Sequence, residues 1–196
     1  MPVQGKTRAD AWALVVEHTD SESLRSHMLA VEAAMSGYAE QLGEDSELWG
    51  MVGLLHDFDY EKNQGPNGHP FVGVQILDKL GYPREFRRAI LSHADYTGVP
   101  RDSKMEKALF AVDDLSGFLI GCVLVRPSRS FGDLEVKSVK KKMKDQAFCA
   151  AIDREELKRG AKELGVPFDK HVTNVISFLE PIEHKLGLGT AAAKSA

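Results

Sequence analysis

Cysteine is scarce in this chain. Of 196 residues only Cys122 and Cys149 are cysteines, and they form no CxxC pair. That excludes a disulfide framework and a thiolate metal knuckle, and it fits a reducing compartment. A chain of this length buries a large core without cross-links. Long hydrophobic runs are lacking too. The longest, Leu115–Val125, is too short to cross a bilayer and follows Asp113-Asp114. The stretch Met1–Lys6 has no apolar segment of the kind a secretory signal needs. Neither sign of charge dominates: a net charge of −4 gives no general affinity for nucleic acid. The expectation is a soluble cytoplasmic protein with neither membrane nor nucleic acid among its partners, its oligomeric state left open. Strand patterning is nearly absent as well. Glu135-Val136-Lys137 is the best candidate, and no internal repeat occurs.

Helix signals fill the space. Thr19-Asp20-Ser21-Glu22 reads as a capping box, followed by Leu24, Met28, Val31, Met35, Tyr38 and Leu42 at helical spacing, with Gly43 as a stop. A helix is expected from Asp45 to His56 and another from His69 to Leu80, the loop Gly65–Gly68 lying between them. Pro83 suits the first turn of the next, in which Phe86, Ile90 and His93 share a face. Ser103–Glu106 is a second capping box, opening a helix to Val125 that Arg126-Pro127 ends. Beyond it, Lys137–Lys144, Asp153–Leu164 and Phe168–Leu179 read as helices, the last ended or kinked at Pro181. The chain reads as all-α, with a helical core over residues 7–125, a C-terminal helical extension or lid over 126–186, and a disordered tail over 187–196.

Six polar residues interrupt the inward faces of these helices. They are His27, His56, Asp57, His69, His93 and Asp113, and they include four of the seven histidines. His27 lies between Leu24 and Val31, His56 is four residues after Val52, and His93 continues the Phe86/Ile90 face. Asp113 follows Leu109 by four, and Gly117 leaves room one turn on. A single histidine on an apolar face is usually a core residue with its hydrogen bonds made. A buried carboxylate without a partner is costly, however, and six such residues together need one explanation. A centre of one or two divalent transition metals supplies it: imidazole and carboxylate suit Mn, Fe, Zn, Co or Ni. His18, His171 and His184 fall outside the set and read as ordinary structural or surface residues.

His27 in Ser26–Val31, His56-Asp57 in Gly53–Asp57 and Asp113 in Ala111–Gly117 resemble the HD-domain superfamily of metal-dependent phosphohydrolases, in particular its small stand-alone bacterial members. The resemblance covers residues 15–125 and implies an HD-domain helical bundle. It assigns one metal to His27, His56, Asp57 and Asp113, with Asp113 rather than Asp114 matching the family's Asp-x-Leu pattern. His69 and His93 lie where dinuclear members place two further ligands, with Asp57 as the bridge; the alternative is that they contact substrate around a single metal. Gly81-Tyr82-Pro83 lacks the surrounding pattern of the cyclic-di-GMP-degrading branch and reads as a helix-start turn.

The implied activity is hydrolysis of a phosphate ester of a small metabolite, a nucleotide or related compound. Asp59 and Asp114 are candidates to accept the proton of the attacking water, or else solvated or capping residues. Lys137, Lys140, Lys141 and Lys144 line one helix face, which is either solvated or a basic rim where Lys137 and Lys141 bind substrate phosphate. Two other readings share the same ligands. One is a di-iron oxygenase that cleaves a C–C or C–P bond; the other is a non-catalytic, ligand-binding regulatory module.

Overall fold

Two helices of 21 residues, α2 (Glu22–Leu42) and α6 (Lys104–Leu124), frame the molecule. The computed structural model describes residue 3 and residues 5–189. Around the frame lie α1 (Arg8–His18), α3 (Ser46–Leu55), α4 (Phe71–Lys79), α5 (Arg84–Ser92), α7 (Val136–Met143), α8 (Arg154–Leu164) and α9 (Phe168–Leu179). Short 3-10 segments follow α5 (Asp95–Thr97) and α9 (Glu180–Leu186). Among the described residues there is no strand, and Val136, in the best strand candidate, opens α7 instead. No described helix is long and apolar enough to cross a membrane.

Glycine sets how closely α3 approaches α2. A Cβ at Gly53 would stand 2.8 Å from the Val31 carbonyl oxygen, and one at Gly50 would press into the Ser36 hydroxyl. Only hydrogen fits at these positions, so the turn that carries His56-Asp57 comes up against α2. Asp45 caps α3 by accepting from the Leu48 N–H, and Gly43 ends α2 in the left-handed region at φ 70°.

The reciprocal box expected at Ser103–Glu106 opens α6. The one expected at Thr19–Glu22 does not form. Ser21 caps α2, while the buried Thr19 hydroxyl turns inward and donates to the Phe58 carbonyl at 2.9 Å. The N–H groups of Asp20 and Ser21 go to the Glu61 carboxylate, forty residues on. A true box sits one helix earlier, between Thr7 and Asp10.

The C-terminal helices belong to the same core. Leu157, Val172, Val175 and Leu179 join Val31, Leu109 and Leu119 in one apolar cluster. Gly160 lets α8 lie directly on α6, since a Cβ there would be 2.7 Å from the Ala111 Cα. On α9, His171 bridges the frame: its Nε2 lies 2.9 Å from the Ala111 carbonyl and its Nδ1 2.5 Å from the Tyr38 hydroxyl. A carbonyl only accepts, so Nε2 carries the proton and Nδ1 accepts from Tyr38. The segment 126–186 is thus fastened into the bundle at α8 and α9. Of the tail expected to lack order, residues 190–196 lie outside the described residues. Leu188 is buried, and the Gly189 N–H donates to the Arg129 carbonyl at 2.7 Å.

Candidate metal centre

Five separate elements deliver the six side chains. His27 comes from the second turn of α2, His56 from the C-cap of α3 with Asp57 next, and His69 from the loop before α4. His93 is the C-cap of α5, and Asp113 lies midway along α6. They gather in two groups, His27 with His56 and Asp113, and Asp57 with His69 and His93; in each, the ligand atoms lie within 4.8 Å of one another.

Asp57 joins the groups. Its Oδ2 is 3.4 Å from the Nε2 of His56 and 3.9 Å from that of His27, while its Oδ1 is 3.2 Å from the Nε2 of His69 and 3.6 Å from that of His93. On the first side, the Oδ1 of Asp113 lies 3.0 Å from the Nε2 of His27 and 3.2 Å from that of His56. On the second, the Nε2 atoms of His69 and His93 are 3.2 Å apart.

Three of the histidines are held from behind. The Nδ1 of His56 donates to the Gly53 carbonyl at 2.7 Å, and that of His93 donates to the Ile90 carbonyl. The Nδ1 of His69 donates to the Oδ1 of Asp59 at 2.8 Å. With Nδ1 hydrogen-bonded from behind, each ring turns its Nε2 toward the cluster, the arrangement that metal-binding histidines use.

The histidines and carboxylates inside shift one another's protonation strongly. Burial opposes a proton on His56, but the Asp57 and Asp113 carboxylates together outweigh it and hold the imidazole well above its usual range. His93 is raised in the same way, against burial, by Asp57 and Asp113. Burial tends to raise the Asp57 carboxyl, yet His56 and His93 keep it well below the ordinary range. His56 is fully buried, and its Nε2 has no hydrogen-bond partner. Nitrogen and carboxylate donors converging on an orphaned, fully buried ring nitrogen fit a divalent cation.

Two expectations about neighbouring residues are corrected. Asp59 does not stand at the mouth as a proton acceptor: it is fully buried, one oxygen on His69 and the other accepting the Gly73 N–H at 2.7 Å. Lys137 and Lys141 do not rim the centre. Lys137 pairs with Glu135 at 2.7 Å in solvent, and Lys141 lines a separate cavity of about 500 Å³ with Cys122, Val125 and Arg126. Cys122 is nine residues past Asp113 on α6, about 13.5 Å along the axis. Asp114 is half-buried beside Asp113. Burial first, then the negative charges of Asp113 and Glu156, push its carboxyl up to about 7.

The sequence reading passed over two tyrosines. The Tyr96 hydroxyl donates to the His69 carbonyl at 2.8 Å, and the Tyr60 ring meets the His69 ring edge-on at 5.3 Å. An exposed aromatic in a loop carries no local signal of such a role. His18, His171 and His184 stay outside both groups of ligands.

Fold and site together define an all-helical protein with a buried His/Asp cluster that could hold metal. Residues 24–116, which contain all six side chains, match the HD domain family model, so this stretch carries an HD domain, the mark of a superfamily of metal-dependent hydrolases. Comparison with curated proteins and with solved structures gave no match.

Proposed function

We propose that the protein is a metal-dependent phosphohydrolase acting on a phosphate ester of a small metabolite, with a nucleotide or related compound as the favoured class. The nucleotide preference rests on the family resemblance. The observation that carries the reading is the position of Asp57, one oxygen toward each group of ligands, with His56 sealed beneath it.

Two bound divalent ions would supply an acidified water and a clamp on the charge of the phosphoryl group. His27, His56 and Asp113 would hold one and His69 and His93 the other, with Asp57 shared. The chain itself contributes preset geometry. The rings of His56, His69 and His93 are fixed through Nδ1, so their Nε2 atoms need no reorganisation on loading. Metal binding would compete with protons for the Nε2 atoms of His56 and His93, whose pKa values the Asp57 and Asp113 carboxylates raise, so uptake would weaken in acid. The side chains of His27, Asp57 and Asp113 are 18%, 15% and 19% exposed, against 0% for His56. Substrate therefore approaches over that face.

The test is phosphate release by metal-loaded protein across a broad panel of nucleotides and other phosphate esters, with His56→Ala as the control. Release from at least one substrate, absent in the variant, is expected. Silence across the panel with metal bound would overturn the reading. The di-iron oxygenase alternative uses the same six side chains and predicts substrate-dependent O₂ uptake by the iron form; full activity with zinc or manganese would exclude it.

A further inference from the structure

The three backed histidines are not backed alike. His56 and His93 each donate Nδ1–H to a carbonyl of their own helix, three residues back. Their orientation is therefore a by-product of helix geometry. His69 has no helix behind it. It follows the loop through Gly65–Gly68, and its Nδ1 meets a carboxylate, Asp59, from ten residues earlier.

Asp59 is built in from every side. It is fully buried, its second oxygen takes the Gly73 N–H on α4, and its own carbonyl accepts from the Asn63 side chain at 2.9 Å. Gly73 is part of the device: a Cβ there would stand 2.7 Å from the Asp59 carboxylate. Any side chain at 73 would displace the carboxylate from the N–H it accepts. The two carboxylates of the Asp57-x-Asp59 segment thus divide their labour. Asp57 faces the cluster, and Asp59 faces away from it and holds His69.

We propose that Asp59 is a positioning residue for the His69/His93 half of the centre, and that it sets the affinity of that half alone. A buried carboxylate on Nδ1 fixes the ring, fixes the tautomer and makes Nε2 a stronger donor than a carbonyl does. The His27/His56/Asp113 half has no contact with Asp59 and keeps its own support from α2, α3 and α6. The two halves therefore fill unequally once Asp59 is altered, and the protein passes from a two-ion to a one-ion form. This rests on the metal-centre reading above, but it does not depend on which reaction the centre performs.

The experiment titrates metal-free protein with Co(II), following visible absorption and confirming stoichiometry by elemental analysis. Wild-type protein takes up two ions. Asp59→Asn keeps the shape but loses one of the two acceptor contacts, because an amide nitrogen cannot accept. It is expected to bind one ion with wild-type affinity and the second about 10–100-fold more weakly, with the absorption of that second ion shifted. His69→Ala loses the same ion and leaves the other. Gly73→Ala, which disturbs the carboxylate without touching a ligand, is expected to weaken the same step, and it serves if Asp59→Asn does not fold. Two ions bound by a folded variant with unchanged affinity and spectrum would overturn the proposal. So would equal weakening of both ions, or a wild-type protein that takes up only one. A wild-type protein that binds none overturns the metal-centre reading itself.

Discussion

The His/Asp cluster and the α9 contact both bury a histidine completely inside the α2–α6 frame, and they finish it differently. His171 has both nitrogens partnered, to Tyr38 and to the Ala111 carbonyl, and burial pushes its pKa down to about 4. It is neutral and closed. His56 has Nδ1 on a carbonyl and Nε2 facing two carboxylates with no hydrogen bond, and those carboxylates raise its pKa against burial. It is open, and its neighbours favour the charged form. Burial is common to both. What separates the two histidines is whether the polar atoms around the ring pair with it, as at His171, or leave a ring nitrogen without a hydrogen-bond partner, as at His56.

The comparison breaks most visibly if the open histidine is removed. His56→Ala should lose bound metal on elemental analysis and lower phosphate release by more than about 100-fold, beyond the cost of losing a merely supporting group. Its circular dichroism should remain helical, because the close α2–α3 contact at Gly50 and Gly53 that carries this turn is untouched. A variant that kept its metal would show that His56 is another core histidine like His171.

The closed histidine should fail in the opposite way. His171→Leu removes two buried hydrogen bonds, from the Tyr38 hydroxyl and to the Ala111 carbonyl, and leaves the Tyr38 hydroxyl with only the 3.5 Å contact from Asn174, at a cost of about 1–3 kcal/mol. Chemical denaturation should show the loss while elemental analysis shows an unchanged metal content. Loss of metal with intact stability would reverse the two assignments.

What the sequence made legible follows from the range of the interactions involved. His27, His56, His93 and Asp113 stand out because each is one polar residue on or at the end of an apolar helix face, and a spacing of three or four survives any tertiary arrangement. The Ser103–Glu106 cap was legible for the same reason, its partners being three residues apart. Asp57 and His69 lie outside the helices and were legible through the His-Asp dipeptide and the family resemblance. Thr19 was misread because its hydroxyl goes to Phe58 and the N–H groups after it go to Glu61. Asp59 was misread because its partners, His69 and Gly73, lie ten and fourteen residues on, across a loop whose path no local pattern fixes. The helix at Lys137–Lys144 was legible, but its place was not, since that depends on where the irregular segment after Arg126 leads.

The pH dependence of stability gives a finer test, best read in chelated protein. His171 has a folded pKa of about 4 against about 6.5 unfolded, so its contribution is complete above pH 6.5 and is lost as pH falls to 4. That loss is on the order of 3 kcal/mol. The stability gap between wild type and His171→Leu should therefore shrink by about that much from pH 7 to pH 4. His56 is raised rather than lowered, so in chelated protein its contribution is complete below about pH 6.5 and disappears as pH rises through the folded value. The gap between wild type and His56→Ala should move the other way, diminishing toward alkaline pH. Gaps that shift in the same direction would mean that the two sites do not differ in charge.

The smallest effect is expected at the basic helix, and it shows how far the open cluster extends. Lys137 is paired with Glu135, both exposed, and exposed ion pairs contribute little. Lys141 faces the cavity at the end of α6, farther along the axis from Asp113 than the roughly 8–10 Å over which salt leaves surface charges in contact. Replacing both lysines by alanine should leave kcat/KM for phosphate release within about twofold, because surface charges beyond screening range are worth less than the roughly 1.4 kcal/mol that a tenfold change needs. Assaying the double variant at 50 mM and at 500 mM salt separates the outcomes. No change at either salt keeps α7 outside the site. A tenfold loss at low salt that vanishes at high salt would place the lysines in the path of an anionic substrate and widen the functional region from one buried cluster to a whole face of α6.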